Sequence, residues 1–368
     1  MCAIAGIYGQ AADDPEASVR NMVASQRHRG PDGAEVLSLP SKRAWLGHAR
    51  LAVLDLGRAA LQPMLSRCGR YVVVFNGEIY NFSELKQDLL AGGSEFKGTG
   101  DTEVMLETFS IFGVVAGLPM LRGMFAIGVV DLHLGILHLI RDINGEKPLY
   151  YHRGNGFVAF ASELSAFRVF GSSCQALSRD GIAAYCSYGF LPADQSILQS
   201  VKKVRPAHII TFDQNGNELE DNAFWTRWDK KVAFQRPLRD LIDEFDGLLD
   251  RAVQRQMRSD VPLGIFLSGG LDSSLVAAAA AKRGEANKMA FTVSFPGYNL
   301  DETAQASAIA KALGFKHFLL PMTGVDALAI ASRLGSIYSE PLNDSSQLPT
   351  VFLCSRARGS LTVALTGD

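Results

Sequence analysis

Cys2 follows the initiator Met1 and opens the string Cys2-Ala3-Ile4-Ala5-Gly6. If Met1 is removed, one residue carries both a thiol and a free α-amine. A thiolate is a strong nucleophile. An α-amine titrates near ~7.7–8.0, so it can take the thiol's proton at neutral pH. An acyl-transfer site also needs donors for an oxyanion and groups that hold the substrate's charged end. Asn76-Gly77-Glu78 offers a side-chain amide beside a glycine N–H. Arg50 could clamp a carboxylate through paired hydrogen bonds. Glu78 and Asp101 could hold an ammonium group. Together these groups fit an α-amino acid with an amide side chain, namely glutamine. Each has a plain structural alternative: a turn for Asn76-Gly77, a surface ion pair for Arg50, a helix cap for Asp101.

A second group of residues is Phe266-Leu267-Ser268-Gly269-Gly270-Leu271-Asp272-Ser273-Ser274. It follows an apolar run and precedes a helical one. Glycines there let backbone N–H groups approach an anion, and a helix N-terminus favours phosphate. Ser268, Ser273 and Ser274 add donors, and Asp272 could hold Mg²⁺. No lysine follows the glycines, so this is not the phosphate loop of kinases and GTPases.

The elements that must position these residues fall into two blocks. Residues 1–212 read as short strands: Cys2–Tyr8, Ala44–Leu51, Tyr71–Phe75, Phe125–Asp131, Ile136–Arg141, Leu149–His152 and Phe157–Ala161. Two helices interrupt them, Phe82–Ala91 and Thr102–Phe112, the latter with Asp101 as its expected N-cap. Residues 213–237, with Trp225 and Trp228, read as a connector. From Leu238 the pattern becomes helical, then strand and helix alternate: Leu263–Leu267, Ser274–Arg283, Lys288–Ser294, Glu302–Leu313, His317–Leu320. That order predicts a parallel sheet over 238–368. The last run, Leu361–Leu365, precedes Thr366-Gly367-Asp368, and the second domain is expected to be cut short inside a motif.

Composition agrees with a globular chain. The 368 residues are 47% hydrophobic and 20% charged, with a formal net charge of -2. No basic excess points to nucleic acid, and no apolar run is long enough to span a membrane. Five scattered cysteines argue against a disulfide framework and for a cytoplasmic setting. No His or Cys spacing marks a zinc site.

The first block resembles the class II glutamine amidotransferases, on five strings in the family's order. These are Cys2-Ala3-Ile4-Ala5-Gly6, Arg27-His28-Arg29-Gly30-Pro31-Asp32, Arg50-Leu51-Ala52-Val53-Leu54-Asp55, Asn76-Gly77-Glu78-Ile79-Tyr80-Asn81 and Gly100-Asp101-Thr102-Glu103. The resemblance implies an N-terminal-nucleophile αββα sandwich. It makes Cys2 the nucleophile and Asn76 and Gly77 the oxyanion hole, with Arg50, Leu51, Asn76, Gly77, Glu78 and Asp101 around glutamine. Arg141–Tyr151 and Phe160–Glu163 are similar to the asparagine synthetase branch, except that Ile143-Asn144 replaces its usual Arg-Phe.

The second block resembles the ATP pyrophosphatase domain of that branch, an α/β fold left incomplete here. ATP is then expected at Leu267, Ser268, Gly269, Gly270, Asp272, Ser273, Ser274, Val293, Thr366 and Gly367, with Mg²⁺ at Asp272. Asp368 falls where the family has an acidic residue near the reacting carboxylate. The implied reaction activates aspartate as β-aspartyl-AMP. Ammonia from Cys2, delivered through an apolar passage, then displaces AMP. The resemblance leaves room for a homodimer. The stretch Glu340–Thr350 is similar to proteins of bacterial polysaccharide loci, which keeps open another carboxylate or sugar as acceptor. A fragment retaining only glutaminase activity is the remaining alternative.

Overall fold

A computed structural model describes residues 1–10, 14–226, 236–282, 288–297 and 301–367. Trp228, Arg283 and Asp368, named above, lie outside the described residues. The chain divides into two compact units. The first comprises Met1–Asp229 with Tyr338–Asn343, and the second Lys230–Ile337 with Asp344–Asp368.

In the first unit the described elements run β1 (Ala3–Gly9), α1 (Pro15–Ser25), β2 (Gly33–Leu39), β3 (Ala44–Arg50), β4 (Met64–Leu65), β5 (Tyr71–Ile79), α2 (Phe82–Ala91), α3 (Asp101–Phe112) and α4 (Val114–Gly117). Then follow β6 (Gly123–Asp131), β7 (Ile136–Arg141), β8 (Tyr150–Arg153), β9 (Phe157–Ala161), α5 (Arg179–Tyr188), β10 (Val201–Lys203), β11 (His208–Asp213) and β12 (Glu218–Ala223). They form two antiparallel six-stranded sheets, ordered β10-β8-β9-β1-β3-β2 and β12-β11-β7-β6-β5-β4.

Side-chain alternation builds the layers. Ile4 and Tyr8 of β1, Leu46 of β3 and Val72 and Val74 of β5 share one buried cluster, so these faces meet between the sheets. Ala3, Ala5 and Ile7 face the other way, onto Val19, Met22 and Val23 of α1. Tyr71, Val73 and Phe75 turn outward onto Leu85 of α2 and Val104 and Phe109 of α3. The unit is therefore helix, sheet, sheet, helix, as the sandwich expectation required.

Several local expectations need correction. The strand expected over Tyr71–Phe75 runs on to Ile79, so Asn76 and Gly77 sit inside a paired strand and not in a turn. Asp101 is the first helical residue of α3, and its N-cap is Gly100. Helices α1 and α5 were not anticipated. Yet α1 carries plain signals, an Asp14 cap that accepts Ala17 N–H and a proline at its first position. The first unit's second sheet also continues past residue 212, because β12 pairs with β11. Residues 338–343 belong with this unit as well. The Glu340 carboxylate meets Lys203 Nζ at 2.5 Å and accepts the Ile197 N–H, and the Asn343 N–H donates to the Gly189 carbonyl.

The second unit contains α6 (Leu238–Gln256), β13 (Leu263–Phe266), α7 (Leu271–Ala281), β14 (Met289–Ser294), α8 (Thr303–Leu313), β15 (Lys316–Pro321), α9 (Gly324–Ala331), α10 (Leu334–Ile337), α11 (Gln347–Ala357) and β16 (Val363–Leu365). Its four described strands are all parallel, in the order β15-β14-β13-β16. Ala277 and Ala280 of α7, Ala306 and Ala310 of α8 and Val253 of α6 pack on Ile265 and Leu267. Alanine-rich helix faces let α7 and α8 lie close to the strands.

Candidate active site

The first site forms where β1, β3 and β5 place alternate residues in the layer between the sheets. Even-numbered residues of each strand face inward: Ile4, Leu46, Val72 and Val74. Continuing that alternation brings Cys2, His48, Arg50, Asn76 and Glu78 to the same layer. The register Ala3↔Ala49 puts Cys2 beside Arg50, one step further along the ladder.

The Cys2 thiol rests on the backbone of Leu51. Leu51 N–H donates to Sγ at 3.4 Å, and the thiol points back to the Leu51 carbonyl at 3.6 Å. Burial pushes the thiol's pKa up, opposed by that backbone bond and by the chain's terminal amine; Asp101 and Arg50 are close enough to act on it as well. Arg29 fixes the Cys2 backbone, with its Nε donating to the Cys2 carbonyl at 3.0 Å. Arg29 is itself held by Glu163 at 3.0 Å, both side chains being nearly buried. The strings around Arg29 and Glu163 thus serve to seat Cys2. Gly30 has a similar local reason: a Cβ there would lie 2.2 Å from the Ala49 carbonyl carbon.

Arg50 is aimed by the loop that follows it. Its guanidinium donates to the Gly57 carbonyl at 3.0 Å and to the Asp55 carbonyl. The Asp55 carboxylate in turn accepts the Thr99 and Gly57 N–H groups.

Asn76 is 1% exposed and its Nδ2 has no hydrogen-bond partner. A buried amide donor left unsatisfied costs ~1–3 kcal/mol, so such a group calls for a ligand. Gly77 admits no side chain, since a Cβ would lie 2.1 Å from the Met124 carbonyl oxygen. Its pairing partner Phe125 spends its own N–H and carbonyl on Asp142. In an antiparallel ladder alternate residues turn their N–H groups away from the neighbour. Phe75 and Ile79 send theirs to the outer edge, to Gln62 and Asp101, so the Gly77 N–H between them points to that edge too.

Two acids share this end of the layer. Burial, with the charge of Asp101, pushes Glu78 up to about 7. Burial pushes Asp101 up to about 6, against the bond it accepts from Ile79. Such a pair is destabilised when both are ionised, and a bound ammonium relieves it. Lys147 lies near Glu78; burial lowers its pKa and Glu78 opposes that. The loop carrying Lys147 is held by backbone bonds. Asp142 accepts the N–H groups of Asn144, Glu146 and Lys147, bonds that do not involve the side chains of Ile143 or Asn144.

Reading from sequence missed His48 and Gln62. His48 is 2% exposed, and burial beside Arg50 lowers its pKa to about 3, so it is neutral. No local pattern marks either residue.

The second site lies at the carboxyl ends of the parallel strands, where such sheets bind ligands. After β13, Leu267 donates its N–H to the Phe291 carbonyl, and its own carbonyl accepts the Thr292 hydroxyl. Ser268 Oγ and Ser273 Oγ lie 2.8 Å apart, and Ser268 Oγ accepts the Gly270 N–H. Gly270 caps α7 without a side-chain bond. The pairing Ile265↔Leu365 brings Thr366 and Gly367 to this end, and a Cβ on Gly367 would lie 2.3 Å from Ser273 N. Val293 is near the end of β14. The structure therefore brings the two glycine-bearing strings together. It also places Glu302 there, unanticipated, accepting the Gly269 N–H at 2.8 Å. Asp272 is exposed in the first turn of α7, and among the described residues no three acidic, His or Cys groups gather as a metal site.

Two family models between them match most of the chain. Residues 1–225 match the family model "Glutamine amidotransferase domain", and residues 244–368 match "Asparagine synthase". Over its whole length the chain is 32% identical to a putative glutamine-hydrolysing asparagine synthetase of Methanocaldococcus jannaschii, covering 74% of that protein. It is 31% identical to glutamine-hydrolysing asparagine synthetase 1 of Bacillus subtilis and 29% identical to a putative one of Mycobacterium tuberculosis. The chain spans 57% and 58% of those two relatives. No helix among the described residues is long and apolar enough to cross a membrane.

Proposed function

Because the chain belongs to the family of glutamine-hydrolysing asparagine synthetases, we propose that its first unit splits glutamine and that the ammonia serves an ATP-dependent amidation. The observation that carries this reading is the unsatisfied Nδ2 of Asn76, buried beside Gly77 in the layer that receives Cys2.

With Met1 removed, the Cys2 amine takes the thiol proton and the thiolate attacks the glutamine amide carbon. The oxyanion that forms is met by Asn76 Nδ2–H and Gly77 N–H. The Cys2 ammonium returns the proton it took to the leaving nitrogen as the tetrahedral intermediate collapses, releasing ammonia and leaving a thioester that water hydrolyses to glutamate, with the Cys2 thiol restored. Arg50 holds the α-carboxylate, Leu51 lines the thiol, and Glu78 and Asp101 hold the α-ammonium.

In the second unit the turn Ser268–Ser274 receives the phosphates of ATP, with Leu267 and Val293 by the adenine and Thr366-Gly367 closing the site. One exposed carboxylate beside a phosphate site suits Mg²⁺, which keeps most of its waters and shares phosphate oxygens. Asp272 would hold it, and the ion would offset phosphate charge. Aspartate is the proposed acceptor, activated as an acyl-adenylate with release of pyrophosphate. Attack by ammonia then gives asparagine and AMP. A cytoplasmic setting and a homodimer complete the proposal.

Two assays test it. Glutamate formation from glutamine must disappear in Cys2→Ala; retained hydrolysis removes Cys2 as nucleophile. Pyrophosphate release should require ATP and aspartate together. Release provoked by another carboxylate, and not by aspartate, replaces the acceptor.

A further inference from the structure

We infer that Gln62 and Thr102 are positioning residues for the oxyanion donors, forming with Asp101 a buried brace that fastens both ends of the segment Asn76-Gly77-Glu78. The inference rests on the proposed glutaminase reading of this site.

The need for a brace follows from the sheet. Strand β4 covers only part of β5's outer edge, pairing Met64 with Val73 and Leu65 with Val72. Among the described residues no strand pairs with that edge beyond Val73, yet Phe75, Asn76 and Ile79 on it are buried. Its N–H groups at Phe75 and Ile79 therefore need side-chain partners. Gln62 supplies the first: its Oε1 accepts the Phe75 N–H at 2.6 Å. Asp101 supplies the second: its Oδ2 accepts the Ile79 N–H at 2.8 Å.

These partners are joined to one another. Gln62 Nε2 donates to Thr102 Oγ1 at 3.3 Å, and Thr102 Oγ1 donates to Asp101 Oδ1 at 3.4 Å. The circuit runs Phe75, Gln62, Thr102, Asp101, Ile79. It closes around the three residues that carry the oxyanion donors and one ammonium ligand. Gln62, Thr102 and Asp101 are all nearly buried, at 6%, 5% and 6% exposure. The two flanking N–H groups are consumed, and the Gly77 N–H between them is left facing outward. An amide is suited to the task because it accepts from one strand and donates to the next element with a single planar group. Methionine has a similar length and offers no strong partner for either bond.

A brace of this kind acts on the transition state, because displacing a donor by a fraction of an ångström weakens its bond to the charged oxyanion more than its bond to the neutral ground-state amide. Removing it should lower kcat and leave KM for glutamine nearly unchanged.

The experiment measures glutamine hydrolysis by the whole chain and by Gln62→Met, Thr102→Val and Thr102→Ser. Thr102→Val preserves shape, so it keeps the test valid if Gln62→Met folds poorly. The expected result is a kcat about tenfold lower in Gln62→Met and Thr102→Val with KM within twofold, and near-normal kcat in Thr102→Ser. The same substitutions are then made in Asn76→Ala. If the brace acts through the oxyanion donors, Gln62→Met costs much less in that background than in the wild type. Unchanged kcat in folded Thr102→Val, a change confined to KM, or full additivity with Asn76→Ala each overturns the inference. A wild-type chain that hydrolyses no glutamine overturns the reading of the site and the inference with it. Wild-type activity that Cys2→Ala abolishes isolates the brace as the point under test.

Discussion

The Glu302 carboxylate accepts the backbone N–H of Gly269 at 2.8 Å, in the turn proposed to receive the phosphates of ATP. An acid on a donor that an anion needs is a competitor for it. Replacing Glu302 by glutamine removes the charge and keeps the size. Pyrophosphate affinity, measured by calorimetry, should rise about threefold to tenfold in Glu302→Gln. A weakened affinity would mean that the carboxylate assists binding instead.

Glutamine binding should depend on pH through Glu78 and Asp101. Their pKa values lie at about 7 and about 6, raised from 4.5 and 3.8. Both must be ionised to hold an ammonium, so KM for glutamine should climb as pH falls from 7.5 to 5.5. A pH-independent KM over that range would remove them from the ammonium site.

The same shifts set a stability trend. Between about pH 4 and 7 the native state holds protons on these acids that the unfolded chain has lost. Their contribution thus favours the fold at the acid end and declines as pH rises through the native values. Glu78→Gln should therefore raise the melting temperature more at pH 8 than at pH 5. The opposite order would show that Glu78 is stabilised by ionisation.

Asn76→Ala removes the unpartnered Nδ2 donor and nothing else that is hydrogen-bonded through it. We expect kcat for glutamine hydrolysis to fall about 10²–10³-fold, with the melting temperature unchanged or slightly higher. A marked loss of stability would show that the amide is structural.

Gly367→Ala tests the junction of the two nucleotide strings, because the new Cβ would lie 2.3 Å from Ser273 N. The backbone must shift, and the expected outcome is a lower melting temperature together with weaker ATP binding. Wild-type values for both would show that the turn has room.

Much of the fold was legible from residue order. The strand-helix alternation after Leu238 gave the parallel sheet because a strand that returns through a helical crossover runs in the same direction as the first. At Asn76-Gly77 the structure sets aside the plain alternative of a turn. That dipeptide usually reverses a chain, but here pairing with β6 on one side holds it extended. The position of Asp101 before Thr102 predicts a cap, but Gly100 takes that place and the Asp101 carboxylate accepts the Ile79 N–H. The partners of Gln62 lie 13 and 40 residues away, so no local pattern could have marked it.

The sequence by itself determined the chemistry available: a thiol at the second residue, which loss of Met1 would leave beside a terminal amine, an arginine, two acids, and an amide next to a glycine. Those are properties of residue types and of order along the chain. Only the tertiary structure decided how they act together. Strand alternation turns Cys2, Arg50, Asn76 and Glu78 into one layer, burial raises the acids toward neutral pH, and the buried edge of β5 consumes the N–H groups on either side of Gly77. Each of these depends on which distant groups exclude water or donate a bond at a given point, and that is a property of packing.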